Sequence, residues 1–228
     1  MRLSFVPDLP TDAVDHHLIA ATRDRPQHHV ATEISRALGL VQAVAARLVA
    51  KAIGRDEAKL ASLTAETGGT HAAADVTDRA ALDAAIKSAG PAIAGLAYCV
   101  GTITLKPVTR ITDEDVERDL RLNTLGALHA VQSALPQLKA NPTPASVVLF
   151  STVAVQQGFA NHASIGIAKG AVEGLMLSLA AELAPKVRVN CVSLGWVETE
   201  AMADLLLPEN KDQWEATTGR IPVGRMGT

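Results

Sequence analysis

Residues 162–174 read HASIGIAKGAVEG, and two of them can carry acid–base or charge-stabilising chemistry. Lys169 brings an ammonium able to stabilise negative charge developing on a substrate oxygen. Its unperturbed pKa of about 10.4 keeps it from serving as a poised acid at neutral pH. His162 stands seven residues earlier. Seven steps of about 100° return to nearly the same helix face, so the imidazole can point at whatever Lys169 lines. An imidazole is also a competent acid–base group near neutrality. The blander reading of His162 is a polar residue at a helix entrance, with Ser164 as the helix cap. Both readings stay open on the residues alone. Thr152 adds a hydroxyl at the end of the apolar run ASVVLFST, and Asn123 adds an amide within a long helical segment.

These groups need elements to place them. From about residue 43 the chain alternates helix-like and strand-like segments. AVAARLVAKA reads as helix, and DEAKLASLTAETG as a helix stopped by Gly68-Gly69. THAAADV reads as a short strand ending in Asp75, and TDRAALDAAIKSAG as a helix capped by Thr77. AGLAYCVG, ASVVLFST and VRVNCVSLG are apolar runs of strand length, the pattern of strands covered on both faces. TDEDVERDLRLNTLGALHAVQSALPQL reads as one long helix, capped by Thr112 with three carboxylates at its positive end. The helix carrying Lys169 runs to about Ala184. Alternation of this kind predicts an α/β fold: a doubly wound parallel sheet with helices on both faces. A single domain is expected over residues 1–228, with 1–33 poorly defined and showing no strand signal.

Composition narrows the function classes. Hydrophobic residues make up 48% and charged residues 20%, so the chain folds rather than staying disordered. A net charge of −3 with scattered basic residues offers no footprint for nucleic acid. No apolar stretch stands out as a membrane span, and the N-terminus lacks a secretory pattern. A cytoplasmic protein is expected. Cys99 and Cys191 lie in apolar runs and read as buried thiols, not a disulfide. The pairs His16-His17 and His28-His29 do not read as metal sites, because neighbouring side chains point apart and no cysteine cluster joins them.

Several motifs in order resemble the short-chain dehydrogenase/reductase family of Rossmann-type oxidoreductases. They are Asp75-Val76 in AADVTD, Gly101 after an apolar strand, Asn123 in LNTLG, Thr152 in FSTV, Lys169, and Gly195 and Thr199 in LGWVET. The resemblance runs from about Ala43 to Thr228. It implies an NAD(P)(H)-dependent oxidoreductase in which Thr152 takes the place of the substrate-orienting serine. Lys169 would hold the nucleotide ribose, and Asn123 would pin the long helix and a relay water. The family's proton-donating tyrosine, one turn before the lysine, is here Ile165. Enoyl-thioester reductases of the same superfamily instead carry tyrosine seven residues before the lysine, the position of His162. The catalytic set implied is therefore Asn123, Thr152, His162 and Lys169.

The family's first glycine turn aligns with Ser35, Gly39 and Val41, so one glycine of three remains. Weak dinucleotide binding is expected, through Ser35, Gly39, Arg55, Asp75, Val76, Gly101, Lys169, Gly195 and Thr199. Arg55 resembles the arginine that meets a 2′-phosphate, which favours NADP(H) over NAD(H). The segment after LVAKA is shorter than in the family, and the chain ends after GRMGT. Missing or shortened edge strands are expected. The outer faces of GALHAVQSALPQL and GAVEGLMLSLAAELA predict a homodimer. The function expected is a reductase with altered acid–base residues, of an enoyl-thioester or another type. The alternatives are a non-catalytic scaffold or interaction protein, and a degraded gene product.

Overall fold

Among the described residues, six parallel strands form one sheet in the order β3-β2-β1-β4-β5-β6. They are β1 His17–Thr22, β2 Val49–Gly54, β3 Thr70–Ala73, β4 Gly95–Tyr98, β5 Ala145–Thr152 and β6 Val187–Leu194. The computed structural model describes residues 17–22 and 49–195. The helices are α1 Glu57–Thr67, α2 Arg79–Lys87, α3 Asp113–Leu120, α4 Gly126–Ala140, α5 Ala154–Gln157 and α6 Ala163–Leu183. A π turn over Arg121–Leu125 joins α3 to α4. Right-handed crossovers place α2, α4 and α6 on one face of the sheet and α1 on the other. Strand order reverses at β1 and β4, which puts a crevice at the carboxyl ends of these strands.

Two strands correct the sequence reading. The front of the chain shows no strand signal, yet HLIAAT is central, with Leu18 opposite Ala50 on one side and Gly95 on the other. Six residues between polar flanks give little local signal, and pairing on both edges decides their state. The end of AVAARLVAKA has a helical pattern, but Val49–Gly54 is a strand paired along all six residues with β1. Alanine and lysine favour helix locally, whereas pairing on both edges and the burial of Ile53 favour strand. The second strand is therefore not missing. The shortest strands described are β3 and β4, of four residues each, and β3 forms one edge of the sheet.

Other local expectations sort by geometry. Gly68 ends α1 in the left-handed conformation, and Thr112 caps α3 in a reciprocal capping box with Asp115. Thr77 does not cap α2. Asp78 does, accepting from the backbone N–H groups of Ala80 and Ala81. Helix α6 has 21 residues and a mean hydropathy of 1.3, so by length and composition it is able to cross a bilayer, contrary to the sequence reading. Here one side packs on β5 and β6, through Val172 and Leu183. Small side chains such as Ala127, Ala130 and Ala134 let α4 approach the sheet closely.

The π turn has a specific lock. In an α-helix the N–H of Gly126 would reach the carbonyl of Leu122; here it goes to Arg121 O instead. Leu122 O is taken by the hydroxyl of Tyr98, at 2.7 Å from the end of β4. A Cβ on residue 126 would collide with that same hydroxyl. Gly126→Ala is expected to cost ~1–3 kcal/mol by overpacking. Tyr98→Phe is expected to cost ~1 kcal/mol by leaving a buried carbonyl without its donor. Because removing the hydroxyl also removes the clash, the double variant should cost less than the sum. Urea denaturation of the four proteins checks this.

Candidate active site

The backbone after β4 turns through Gly101 directly against two of the expected site residues. A Cβ at Gly101 would lie 2.5 Å from Asn123 Oδ1 and 3.4 Å from Lys169 Nζ. Only hydrogen at that position permits this approach. Asn123 sits in the π turn and is 1% exposed. Its Nδ2 donates to Asp119 O (2.9 Å), Thr102 Oγ1 (3.1 Å) and Thr102 O (3.2 Å), while Thr102 N donates to Oδ1 at 3.4 Å. Lys169 Nζ donates to Phe150 O on β5 at 2.9 Å. Thr124 Oγ1 donates to Ala168 O at 2.8 Å, which fastens the π turn to α6 just before the lysine. Gly101, Asn123 and Lys169 thus converge at the carboxyl edge of the sheet.

The remaining expected catalytic groups lie differently. Thr152 ends β5, and its Oγ1 accepts from Ala154 N at 3.3 Å, at the start of α5. His162 is the residue before α6, with Nδ1 donating to Ala160 O at 2.7 Å. Its ring meets the Phe159 ring edge to face at 5.4 Å. Among the described residues these contacts do not include Asn123, Thr152 or Lys169. Ile165 is 2% exposed, so no proton donor stands one turn before Lys169. Ser164 is not a cap: it is fully buried and donates to Asp119 Oδ2 at 2.7 Å. A buried carboxylate at that distance competes better for the hydroxyl than a solvated helix end does.

A second group forms where β2 and β3 end. Arg55 follows β2, in the place that the family resemblance implies, and its Nη1 lies 3.4 Å from Asp75 Oδ2. Asp75 Oδ1 also accepts from Thr77 N (2.8 Å) and Thr77 Oγ1 (2.7 Å). Val76 beside it is 3% exposed. Arg55 and Asp75 therefore stand just past the carboxyl ends of the adjacent strands β2 and β3.

A family model described as enoyl-(acyl carrier protein) reductase matches residues 30–228. The chain belongs to the short-chain dehydrogenase/reductase family of oxidoreductases.

Family relatives include D-erythrulose reductase of Gallus gallus, 32% identical over 178 residues, covering 76% of this chain and 70% of that protein. L-xylulose reductase of Homo sapiens is 31% identical over 194 residues, covering 82% of this chain and 77% of the relative. A tropinone reductase homolog of Arabidopsis thaliana is 35% identical, but the match spans only 48% of that protein. A solved short-chain dehydrogenase/reductase from Mycobacterium ulcerans superposes with a TM-score of 0.77 over 93% of this chain and 78% of its own. At 22% identity that likeness bears on the fold alone.

Of the expected dinucleotide contacts, Ser35, Gly39 and Thr199 lie outside the described residues, as does Val41. Gly195 closes β6, and a Cβ there would make only an ordinary contact with Val153, so crowding does not require glycine. Sequence reasoning misses two acidic residues. Asp119, with no exposed surface, lies among hydroxyls one turn before Asn123. Glu173, one turn after Lys169, accepts from Ser151 Oγ at 2.6 Å. The four-residue spacing from Asn123 and from Lys169 is the available signal.

The two thiols are half-buried, not fully buried as their apolar runs imply. Burial pushes Cys99 up to about 12, with the Lys169 charge opposing the shift. Burial, helped by Glu173, pushes Cys191 up to about 11. Both stay protonated at pH 8, and the thiolate is the nucleophile. Neither should react with iodoacetamide at pH 8 in the folded protein, and both should react in guanidinium. Mass spectrometry of the alkylated protein reads the outcome.

Proposed function

We propose that the chain is an NADP(H)-dependent reductase of conjugated thioesters. The observation that carries this reading is an ammonium, Lys169, at a glycine-lined edge beside Asn123, with buried Ile165 where a proton donor would stand. Reduction of a ketone needs a proton delivered to oxygen. An enoyl thioester needs mainly stabilisation of the enolate, which a cation supplies. The description of the matching family model, enoyl-(acyl carrier protein) reductase, supports the same substrate class.

The residues present fit a dinucleotide. The Gly101 cradle would be filled by a Cβ, and Arg55 and Asp75 stand at the ends of adjacent strands. Arg55 would take a 2′-phosphate and Asp75 the adenine side, while Lys169 would take the ribose hydroxyls. With Ser35 and Val41 at two of the glycine positions of the phosphate turn, binding is weak and favours NADP(H). When bound, the cofactor supplies a hydride. Lys169 stabilises the thioester oxygen as charge develops on it, and Thr152 orients that group. The proton comes from His162, through Nε2 because Nδ1 is committed to Ala160 O, or from water beside Thr152 and Asn123.

A non-catalytic member that keeps the scaffold for interaction is the second reading, and buried Ile165 favours it too. An NADPH-consumption assay separates the two. Crotonyl thioesters should be reduced and simple ketones scarcely, and Lys169→Ala should lower turnover ~100-fold or more. Ile165→Tyr, which restores a phenol one turn before the lysine, should gain ketone reduction. NADPH binding without any turnover would favour the scaffold reading; brisk ketone reduction by the unmodified chain would sink the thioester reading.

We further propose a homodimer through α4 and α6. Leu125, Ile167 and Leu177 are 46%, 52% and 65% exposed on and beside these helices, and apolar helix faces of this size need cover. Light scattering at micromolar concentration should give twice the 23.8 kDa chain mass. A monomer would remove this part.

A further inference from the structure

Asp119 is a carboxylate with no exposed surface, and hydroxyls surround it. Thr102 Oγ1 (2.7 Å) and Thr104 Oγ1 (3.0 Å) reach its Oδ1, and Ser164 Oγ reaches its Oδ2 at 2.7 Å. The proton positions follow from the other partners. Thr102 Oγ1 already accepts from Asn123 Nδ2, and Thr104 Oγ1 accepts from Arg118 Nη2 at 2.8 Å. Each threonine therefore has its proton left for Asp119, and the directions of the network are set. Three separate segments meet at this carboxylate: the loop after Gly101, the helix before the π turn, and the first turn of α6.

We infer that Asp119 is a positioning residue: its buried carboxylate sets the amide of Asn123 through Thr102, and the start of the Lys169 helix through Ser164. The Asn123 amide is held mostly by Thr102, so freedom at Thr102 becomes freedom at Asn123. Ser164 lies five residues before Lys169, on a helix too short of slack to move one without the other. The same ladder turns the intervening side chains outward. Ile103 and Leu105 are 38% and 49% exposed beside the cradle, while Thr102 and Thr104 are buried.

The inference rests on the proposed function for its catalytic meaning, but its geometry is testable without a substrate. Asp119→Leu leaves three buried hydroxyls without their acceptor. Asp119→Asn can still accept from both threonines through Oδ1 and donate to Ser164 from Nδ2. In the full chain, amide hydrogen exchange in Asp119→Leu should rise ~10-fold or more over residues 101–106 and 163–169, relative to α2 and β5. Asp119→Asn should restore most of the protection. By NADPH fluorescence titration well below the melting temperature, the dissociation constant should rise several-fold in Asp119→Leu and recover in Asp119→Asn. Uniform acceleration across the sheet, no acceleration, or equal NADPH affinity in all three proteins would overturn the inference. Should Asp119→Leu fail to fold, Ser164→Ala is read over 163–169 in the same way. If the unmodified chain does not bind NADPH, the proposed function fails, and the exchange pattern alone still decides the positioning.

Discussion

The hydroxyl of Tyr98 fills a carbonyl that the helix itself has released. The π turn takes the Gly126 N–H away from Leu122 O, and an aromatic residue at the end of β4 supplies the replacement donor. That exchange lets the long helix approach the end of β4 closely, because a Cβ at Gly126 would meet the Tyr98 hydroxyl. It also rotates Asn123 off the regular helical position and toward Gly101. A helix without the extra residue would carry the amide to a different face, and the cradle would lose one wall.

Several side-chain polar groups near this edge are buried, and those around Asp119 pair with one another. Asn123, Thr102, Thr104, Asp119 and Ser164 are all less than 6% exposed. Buried polar groups are costly when unpaired and specific when paired, so such a network defines one arrangement of loop and helices and penalises the rest. Toward solvent it continues through Arg118 and Lys106, which share Asp115 at 3.3 and 2.6 Å. The ammonium of Lys169 stands beside this base, through Gly101 and the first turns of its helix. What the base does not provide is an obvious acid, since the position one turn before the lysine is given to apolar packing by Ile165.

Much of this architecture is legible in the residue pattern alone. The run of apolar strands and amphipathic helices beyond Glu57 has strong periodicity and recovers most elements. The one long helix expected from Thr112 is split by the π turn, however, and the short helix Ala154–Gln157 has no such signal. Thr112 and Gly68 are local signals with local causes, and both act as their positions imply. Thr77 and Ser164 depart from expectation for a common reason. A side-chain hydroxyl near a helix start has several possible acceptors, and Asp75 and Asp119 displace the helix end in the folded chain. The strand at His17–Thr22 is invisible locally because its identity comes from neighbours on both edges, which six residues do not announce.

Fold class belongs to the amino-acid order, because periodicity reports burial. The expected site set of Asn123, Thr152, His162 and Lys169 comes from the family resemblance of its motifs. The isoleucine at the tyrosine position is equally plain there, because a side chain's chemistry does not depend on folding. Three-dimensional packing alone presses Gly101 against Asn123 and Lys169, and gathers hydroxyls from three segments around Asp119. These are contacts between residues tens of positions apart. Their distances follow from sheet register and helix packing, which no local pattern encodes.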